Sequence, residues 1–216
     1  MNVTVAVIAK APEPGRVKTR LCPPCTHDEA ARIATAALAD TIEVVRATEC
    51  TRRVIALHGT PEPELHGELD VIHQRGDGLD ERLAAVFDDL GGPALVIAMD
   101  TPQVTPALLE TAIARLQGGA AALLGPALDG GYWAIGLRRA DPACFLGVPM
   151  HTAHTGAAQL DRLRARDLEV SVLPTLRDVD TFDDALAVAA EVPRSRFASA
   201  VDAVVRRRDL DDEEAV

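Results

Sequence analysis

Apolar residues fall along this chain in two rhythms that take turns. Short apolar runs with branched side chains read as strands, several of them buried on both faces. They are Val3 to Ala9, Arg53-Val-Ile-Ala-Leu-His58, Leu69-Asp-Val-Ile-His73, Ala94-Leu-Val-Ile-Ala98, Ala120-Ala-Ala-Leu-Leu124, Tyr132 to Leu137 and Glu169-Val-Ser-Val-Leu-Pro174. Between them the spacing turns helical. Thr26-His-Asp-Glu29 has the form of a capping box, and the alanine-rich helix it opens runs to about Thr48. Ile33, Ala37, Leu38, Ile42 and Val45 share one face of it and are expected to pack on the sheet. Further helices are expected up to about Leu90, from Thr105-Pro106 to about Gln117, up to about Arg166, after Thr181, and from about Arg194 to Arg208.

Strand and helix in alternation imply an α/β fold, and composition supports it. Hydrophobic residues make up 48% of 216 but aromatics only 3%, so the core is aliphatic, as suits helices laid on a parallel sheet. One compact domain over residues 1–208 is expected, followed by an acidic tail over 209–216 that begins Asp209-Leu-Asp-Asp-Glu-Glu214. The start of the chain lacks a basic leader, and no apolar run is long enough to span a bilayer, so a cytoplasmic protein is expected, with no membrane partner. A net charge of -11 argues against a nucleic-acid partner. The sequence leaves the oligomeric state open. Cys22-Pro-Pro-Cys25 has redox or half-zinc spacing, but no second such pair exists, and an inert pair in a reducing cytosol is the default.

Chemistry-bearing residues gather at the strand ends. Asp100 follows the run Ala94 to Met99, where an open α/β sheet binds ligands, so it either faces a ligand or caps a turn. The loop after the first strand, Lys10-Ala-Pro-Glu-Pro-Gly-Arg-Val-Lys-Thr-Arg-Leu21, sets Arg16, Lys18 and Arg20 close together in an acidic protein. Guanidinium forks and a lysine point charge suit a diphosphate; a solvated charged loop is the bland alternative. No G-x-G-x-x-G follows the first strand and no G-x-x-x-x-G-K-[ST] occurs, which disfavours a dinucleotide dehydrogenase and a P-loop NTPase. Gln74-Arg-Gly-Asp-Gly78 lets backbone approach a ligand, or simply turns before a helix. Asp129-Gly-Gly131 suits a tight turn, and Tyr132 and Trp133 should point to opposite faces of the strand after it, one to the core and one to a pocket. His151 and His154 are ligand or loop donors. Asp178 and Asp180 sit at the end of the last strand, before a helix that Thr181 caps.

These motifs together resemble the GT-A-like nucleotide-diphospho-sugar transferase superfamily, over nearly the whole chain. The resemblance runs from the Lys10 to Leu21 loop through Asp100-Thr-Pro102 and Gly125-Pro-Ala-Leu-Asp-Gly-Gly-Tyr-Trp133 to Leu176-Arg-Asp-Val-Asp-Thr181. Within the superfamily the chain is most similar to small bacterial transferases associated with radical-SAM and arsenosugar gene neighbourhoods. More distantly it resembles molybdenum-cofactor nucleotidyltransferases and the guanylyltransferases acting on phospholactate or phosphoenolpyruvate, whose Lys-Ser-Arg-Leu is like Lys18-Thr-Arg-Leu21. The family's usual Gly-Ser-Asp-Thr-Pro is here Ala98-Met-Asp-Thr-Pro102, which keeps the acid and places a bulkier neighbour beside it.

The resemblance implies a Rossmann-like three-layer α/β/α fold with a mostly parallel mixed sheet and the nucleotide under the first strand's loop. It also implies Mg²⁺ or Mn²⁺ on Asp100, with Asp180 or Asp178 as the second carboxylate. The candidate set is then Lys10, Gly15, Arg16, Lys18, Arg20, Gln74 and Gly76 for nucleotide and phosphate. Gly130, Gly131, Tyr132, Thr155 and Gly156 are the candidates for the acceptor, with Asp100 and Asp129 for chemistry. The expected activity is transfer from a nucleotide-activated donor to a small-molecule acceptor, from a nucleotide-sugar as a glycosyltransferase. The alternatives are a nucleotidyltransferase releasing pyrophosphate from an NTP and a non-catalytic nucleotide-binding protein on the same fold.

Overall fold

The computed structural model describes residues 2–60 and 67–214. Seven strands form one sheet: β1 (Thr4–Lys10), β2 (Arg52–His58), β3 (Asp70–His73), β4 (Ala94–Ala98), β5 (Ala122–Pro126), β6 (Tyr132–Leu137) and β7 (Val170–Val172). Their order is β3-β2-β1-β4-β6-β5-β7. Only β6 runs against its neighbours β4 and β5; the remaining pairs are parallel. After β1 the chain adds strands on one side as far as β3, then returns to place β4 on the other. The carboxyl ends of β1 and β4 therefore diverge around a crevice.

Among the described residues six α-helices complete the layers: α1 (His27–Ala47), α2 (Leu79–Leu90), α3 (Pro106–Gln117), α4 (Thr155–Arg164), α5 (Phe182–Glu191) and α6 (Arg196–Glu214). Alternation along the central strands feeds both faces of the sheet. Val5, Val7, Ile55, Leu95 and Ile97 meet α1 and α3 on one side. Ala6, Val54, Val96 and Leu124 meet α2 and α4 on the other. The expected three-layer α/β/α class is the observed one. No described helix is long and apolar enough to cross a membrane.

Local signals set many of the boundaries. Thr26 and Glu29 exchange the two bonds of a capping box, and Thr105 with Pro106 opens α3. Four details depart from the sequence reading. Helix α1 is buried on two sides: Leu38, Ile42 and Val45 face the sheet, while Ile33 and Ala37 pack against α5 and α6. Strand β5 continues past Gly125 to Pro126, because pairing with β6 carries it through a register shift there. Strand β7 is shorter than the apolar run that suggested it. The backbone of α6 runs on to Glu214, past Arg208, with no proline or glycine to stop it. The Pro- and Glu-containing connection between β2 and β3 spans 61–66, outside the described residues.

Candidate active site

The loop leaving β1 crosses the crevice and turns back at Lys18. Val17 and Leu21, both buried, anchor it. Lys18 lies between them in a left-handed backbone conformation, φ 46°, ψ 39°, ahead of a 3-10 turn over Thr19–Leu21. Its side chain, 12% exposed, runs inward rather than into solvent. The ammonium donates to Asp100 Oδ2 at 2.5 Å and to Asp180 Oδ1 at 3.1 Å. Burial disfavours the charged lysine, yet the two carboxylates outweigh burial and hold its pKa above the ordinary range.

The two acids arrive from different sheet ends. Asp100 follows β4, and its carbonyl accepts from the Val179 amide at 3.1 Å, which ties the segment before α5 to that strand end. Val179 is buried, so in an extended segment Asp178 and Asp180 fall together on the opposite side. The Thr181 and Asp184 capping box then starts α5. Asp129 comes from the β5–β6 turn. That turn is drawn to the same place by a parallel bridge between Ala127 and Leu176, with the Leu128 amide donating to the Leu176 carbonyl.

The result is a group of carboxylates at one end of the sheet. Oxygens of Asp129, Asp178 and Asp180 lie within 4.8 Å of one another. Asp178 is half-buried, and burial together with the charges of Asp129, Asp100 and Asp180 pushes its carboxyl up to about 7. Such crowding of carboxylates suits an oxygen-only donor set for a hard divalent cation. Lys18 meets the charge of Asp100 and, with Arg20, that of Asp180, whereas among the described residues no Lys or Arg pairs Asp129 or Asp178.

Two lobes open from these acids and share Asp100, Asp129, His151, Thr152 and Asp180. The wider lobe, about 690 Å³, is lined by Lys10, Arg16, Lys18 and Arg20. The deeper one, about 240 Å³, is mostly apolar. Arg20 is largely exposed but still donates to Asp180 Oδ2 at 3.0 Å. Arg16, more exposed than its partner, pairs with Glu13 at 2.8 Å.

The other sequence candidates divide by what their atoms already do. Gln74 gives its amide to the carbonyls of Ala9 and Ala56 at 2.8 Å, so it holds the ends of β1 and β2 together. Gly15 and Gly76 have positive φ, and a Cβ on Gly76 would run into Glu81. Gly130, Gly131 and Gly156 form a close backbone crossing: the Gly156 amide donates to Gly130 O at 2.8 Å, and Asp129 Oδ1 accepts from the Gly131 amide at 2.6 Å. Thr155 is buried, its hydroxyl donating to Pro149 O and accepting from the Thr152 amide. Tyr132 and Trp133 do point to opposite faces. Trp133 is fully buried with Nε1 donating to Pro174 O, while Tyr132 is half-buried beside the deeper lobe, its hydroxyl on Gln159.

Some lining residues had no sequence signal. Ile8, Leu79, Leu83 and Met150 read as core or loop positions, and only the packing shows that they face a cavity. His151, with φ 60°, reaches the junction of the lobes; His154 lies outside both linings. Cys22 and Cys25 are free thiols, and burial, then the neighbouring Cys22, pushes Cys25 up to about 11.

Comparison with known proteins agrees with this fold. A crystal structure of a candidate nucleotide-diphospho-sugar transferase from Desulfovibrio desulfuricans G20 is similar to 96% of the chain and 98% of its own, at 28% identity and a TM-score of 0.84. CMP:2-keto-3-deoxy-manno-octonic acid synthetase complexed with CTP shares the fold over 90% of this chain and 99% of that one, with 12% identity and a TM-score of 0.58. Rv0371c from Mycobacterium tuberculosis H37Rv in complex with manganese does so over 87% and 97%, at 19% identity and a TM-score of 0.56. No curated protein matches the chain significantly in sequence. The fold is that of the nucleotide-diphospho-sugar transferases. A family model described as "Uncharacterized protein conserved in bacteria (DUF2064)" matches residues 35–152, more than half of the chain, and the protein belongs to that family.

Proposed function

We propose that the protein is a divalent-metal-dependent transferase that moves a sugar from a nucleotide-sugar to a small acceptor. The observation that carries this reading is the meeting of four carboxylates from three strand ends with a lysine from the β1 loop, beside a lobe lined by further cations. Lys10, Lys18, Arg16 and Arg20 would bind the donor's phosphate oxygens. Asp178 and Asp180 would hold Mg²⁺ or Mn²⁺, with Asp129 as a third oxygen donor in reach and Asp100 keeping Lys18 in place. When bound, the cation supplies neutralisation of the leaving diphosphate as a Lewis acid. In the transfer, the bond from the anomeric carbon to the diphosphate breaks and a bond to the acceptor forms. The acceptor's proton passes to a carboxylate, and Asp129, exposed where the lobes join, is placed to take it.

Likeness to the Desulfovibrio candidate nucleotide-diphospho-sugar transferase supports the transferase class. Resemblance to the small bacterial group named above supports glycosyl transfer. A second reading, nucleotidyl transfer, is favoured by the likeness of Lys18-Thr-Arg-Leu21 to guanylyltransferase loops. The two separate by product. Incubation with nucleotide-sugars and Mn²⁺ should release nucleoside diphosphate, and both EDTA and Asp180→Asn should abolish the release. Pyrophosphate from an NTP would establish the second reading instead, and full turnover in EDTA would remove both. Asp129→Asn reports that residue's role: a weaker Mn²⁺ affinity marks a ligand, whereas a lower kcat at unchanged Mn²⁺ affinity marks the proton acceptor.

A further inference from the structure

Beyond the carboxylates, the cleft ends in the deeper cavity of about 240 Å³, whose wall includes Ile8, Leu79, Leu83, Tyr132, Ile135 and Met150. Ile8, Leu79, Tyr132 and Met150 pack against the core on the α2 and α4 side of the sheet, yet each stays only half-buried. Apolar side chains left open at the bottom of a concavity, with polar groups converging at its mouth, are the signature of a ligand surface. Tyr132 is fixed there by its hydroxyl, 3.2 Å from Gln159 Oε1, while Gln159 Nε2 donates to Cys144 O.

The charges at this lobe are of one sign. Asp100, Asp129, Asp178 and Asp180 line it, and among the described residues no Lys or Arg does; the cations Lys10, Arg16, Lys18 and Arg20 line the other lobe. Lys18 and Arg20 pair Asp100 and Asp180 from the other lobe, but among the described residues no Lys or Arg pairs Asp129 or Asp178, so a phosphate or carboxylate placed in the deeper lobe would face those two acids with no counter-charge on the cavity wall. The volume corresponds to roughly eight waters at about 30 Å³ each, room for one small ring or a short chain rather than a second sugar nucleotide.

We propose that this lobe binds the acceptor, and that the acceptor has an apolar body bearing a hydroxyl or amine and no phosphate or carboxylate of its own. The word acceptor rests on the transferase reading; the lobe's selectivity for apolar, non-anionic molecules rests on its lining alone. In the transfer, the acceptor's oxygen or nitrogen forms the bond to the anomeric carbon. The electrons of the breaking bond leave on the diphosphate, and the acceptor's proton goes to a rim carboxylate.

The test uses a matched series on the full chain: phenethyl alcohol, phenethylamine and phenethyl phosphate. Each is titrated calorimetrically in EDTA, and again in Mn²⁺ with UDP or GDP. The alcohol and the amine are expected to bind in both conditions, and where UDP or GDP with Mn²⁺ fills the cationic lobe the phosphate is expected to bind at least about tenfold more weakly than the alcohol. Leu79→Lys, a half-buried position outside the metal and phosphate groups, should weaken the alcohol and strengthen the phosphate. Phenethyl phosphate binding as tightly as the alcohol to the wild-type protein with nucleotide and Mn²⁺ present would overturn the proposal, and so would failure of all three probes to bind. Alcohol binding in EDTA without any nucleotide binding in Mn²⁺ would sustain the apolar lobe and end the transferase reading, so the two fail separately.

Discussion

Lys18 bridges Asp100 and Asp180 from a left-handed backbone position, a conformation that costs a non-glycine residue about 1 kcal/mol or more. Lys18→Met keeps most of the stem and removes the charge, leaving Asp100 without its cation and Asp180 with Arg20. A loss of about 2 kcal/mol in urea unfolding is expected, the scale of hydrogen bonds to charged groups. Mn²⁺ should restore part of it. Arg16→Ala, at an exposed position where Glu13 is the ion-pair partner, should cost well under half as much. Asp178 yields a pH dependence whose sign follows from its raised carboxyl. Its pKa stands at about 7 against an ordinary 3.8, so the native state binds its proton more tightly than the unfolded chain does. Metal-free stability should therefore fall as pH rises from about 4 to about 7, then level off. Cation binding needs the ionised form, so the rise in Tm caused by Mn²⁺ should be larger at about pH 8 than at about pH 6.

At the scale of elements, the crossing of the β5–β6 turn over the start of α4 positions Asp129. A Cβ on Gly156 would meet Gly131 O at 2.5 Å, so the two backbones cannot approach as they do with any larger residue there. Gly156→Ala should lower Tm and also weaken Mn²⁺ binding, because the turn carrying Asp129 must back away. Unchanged Mn²⁺ affinity in a folded Gly156→Ala protein would show that Asp129 is not needed for the cation. Local chemistry made much of this architecture readable. The run at β4, the Thr105-Pro106 start and the Thr26 capping box are each settled within a few residues. Asp129 was readable only as a turn with acceptor-side chemistry. Its approach to Asp178 depends on a parallel bridge between Ala127 and Leu176, and long-range pairing leaves no mark in either segment. Helix α1 was assigned one buried face for a similar reason: its second face is covered by α5 and α6, which arrive late in the chain.

Across the whole molecule, a strongly acidic chain concentrates positive charge at the mouth of one crevice. Net charge is -11, yet Lys10, Arg16, Lys18 and Arg20 share one lobe. Under the proposed function a diphosphate would be drawn to that lobe, and nucleotide affinity should fall as salt rises. The sign of that loop was legible in the sequence; the direction of each side chain was not. Lys18 turns inward because buried Val17 and Leu21 flank it, while Arg16 points to solvent. The division of the cleft into a cationic and an apolar lobe is likewise a property of packing. The measurement closest to the central claim is a thermal-shift titration of UDP, GDP and CDP with and without Mn²⁺, in the wild-type protein and in Asp178→Asn and Asp180→Asn. The wild-type protein should be stabilised by at least one nucleoside diphosphate, and only when Mn²⁺ is present, with both variants losing the effect. Stabilisation of equal size in EDTA, or retained in full by both variants, would contradict it.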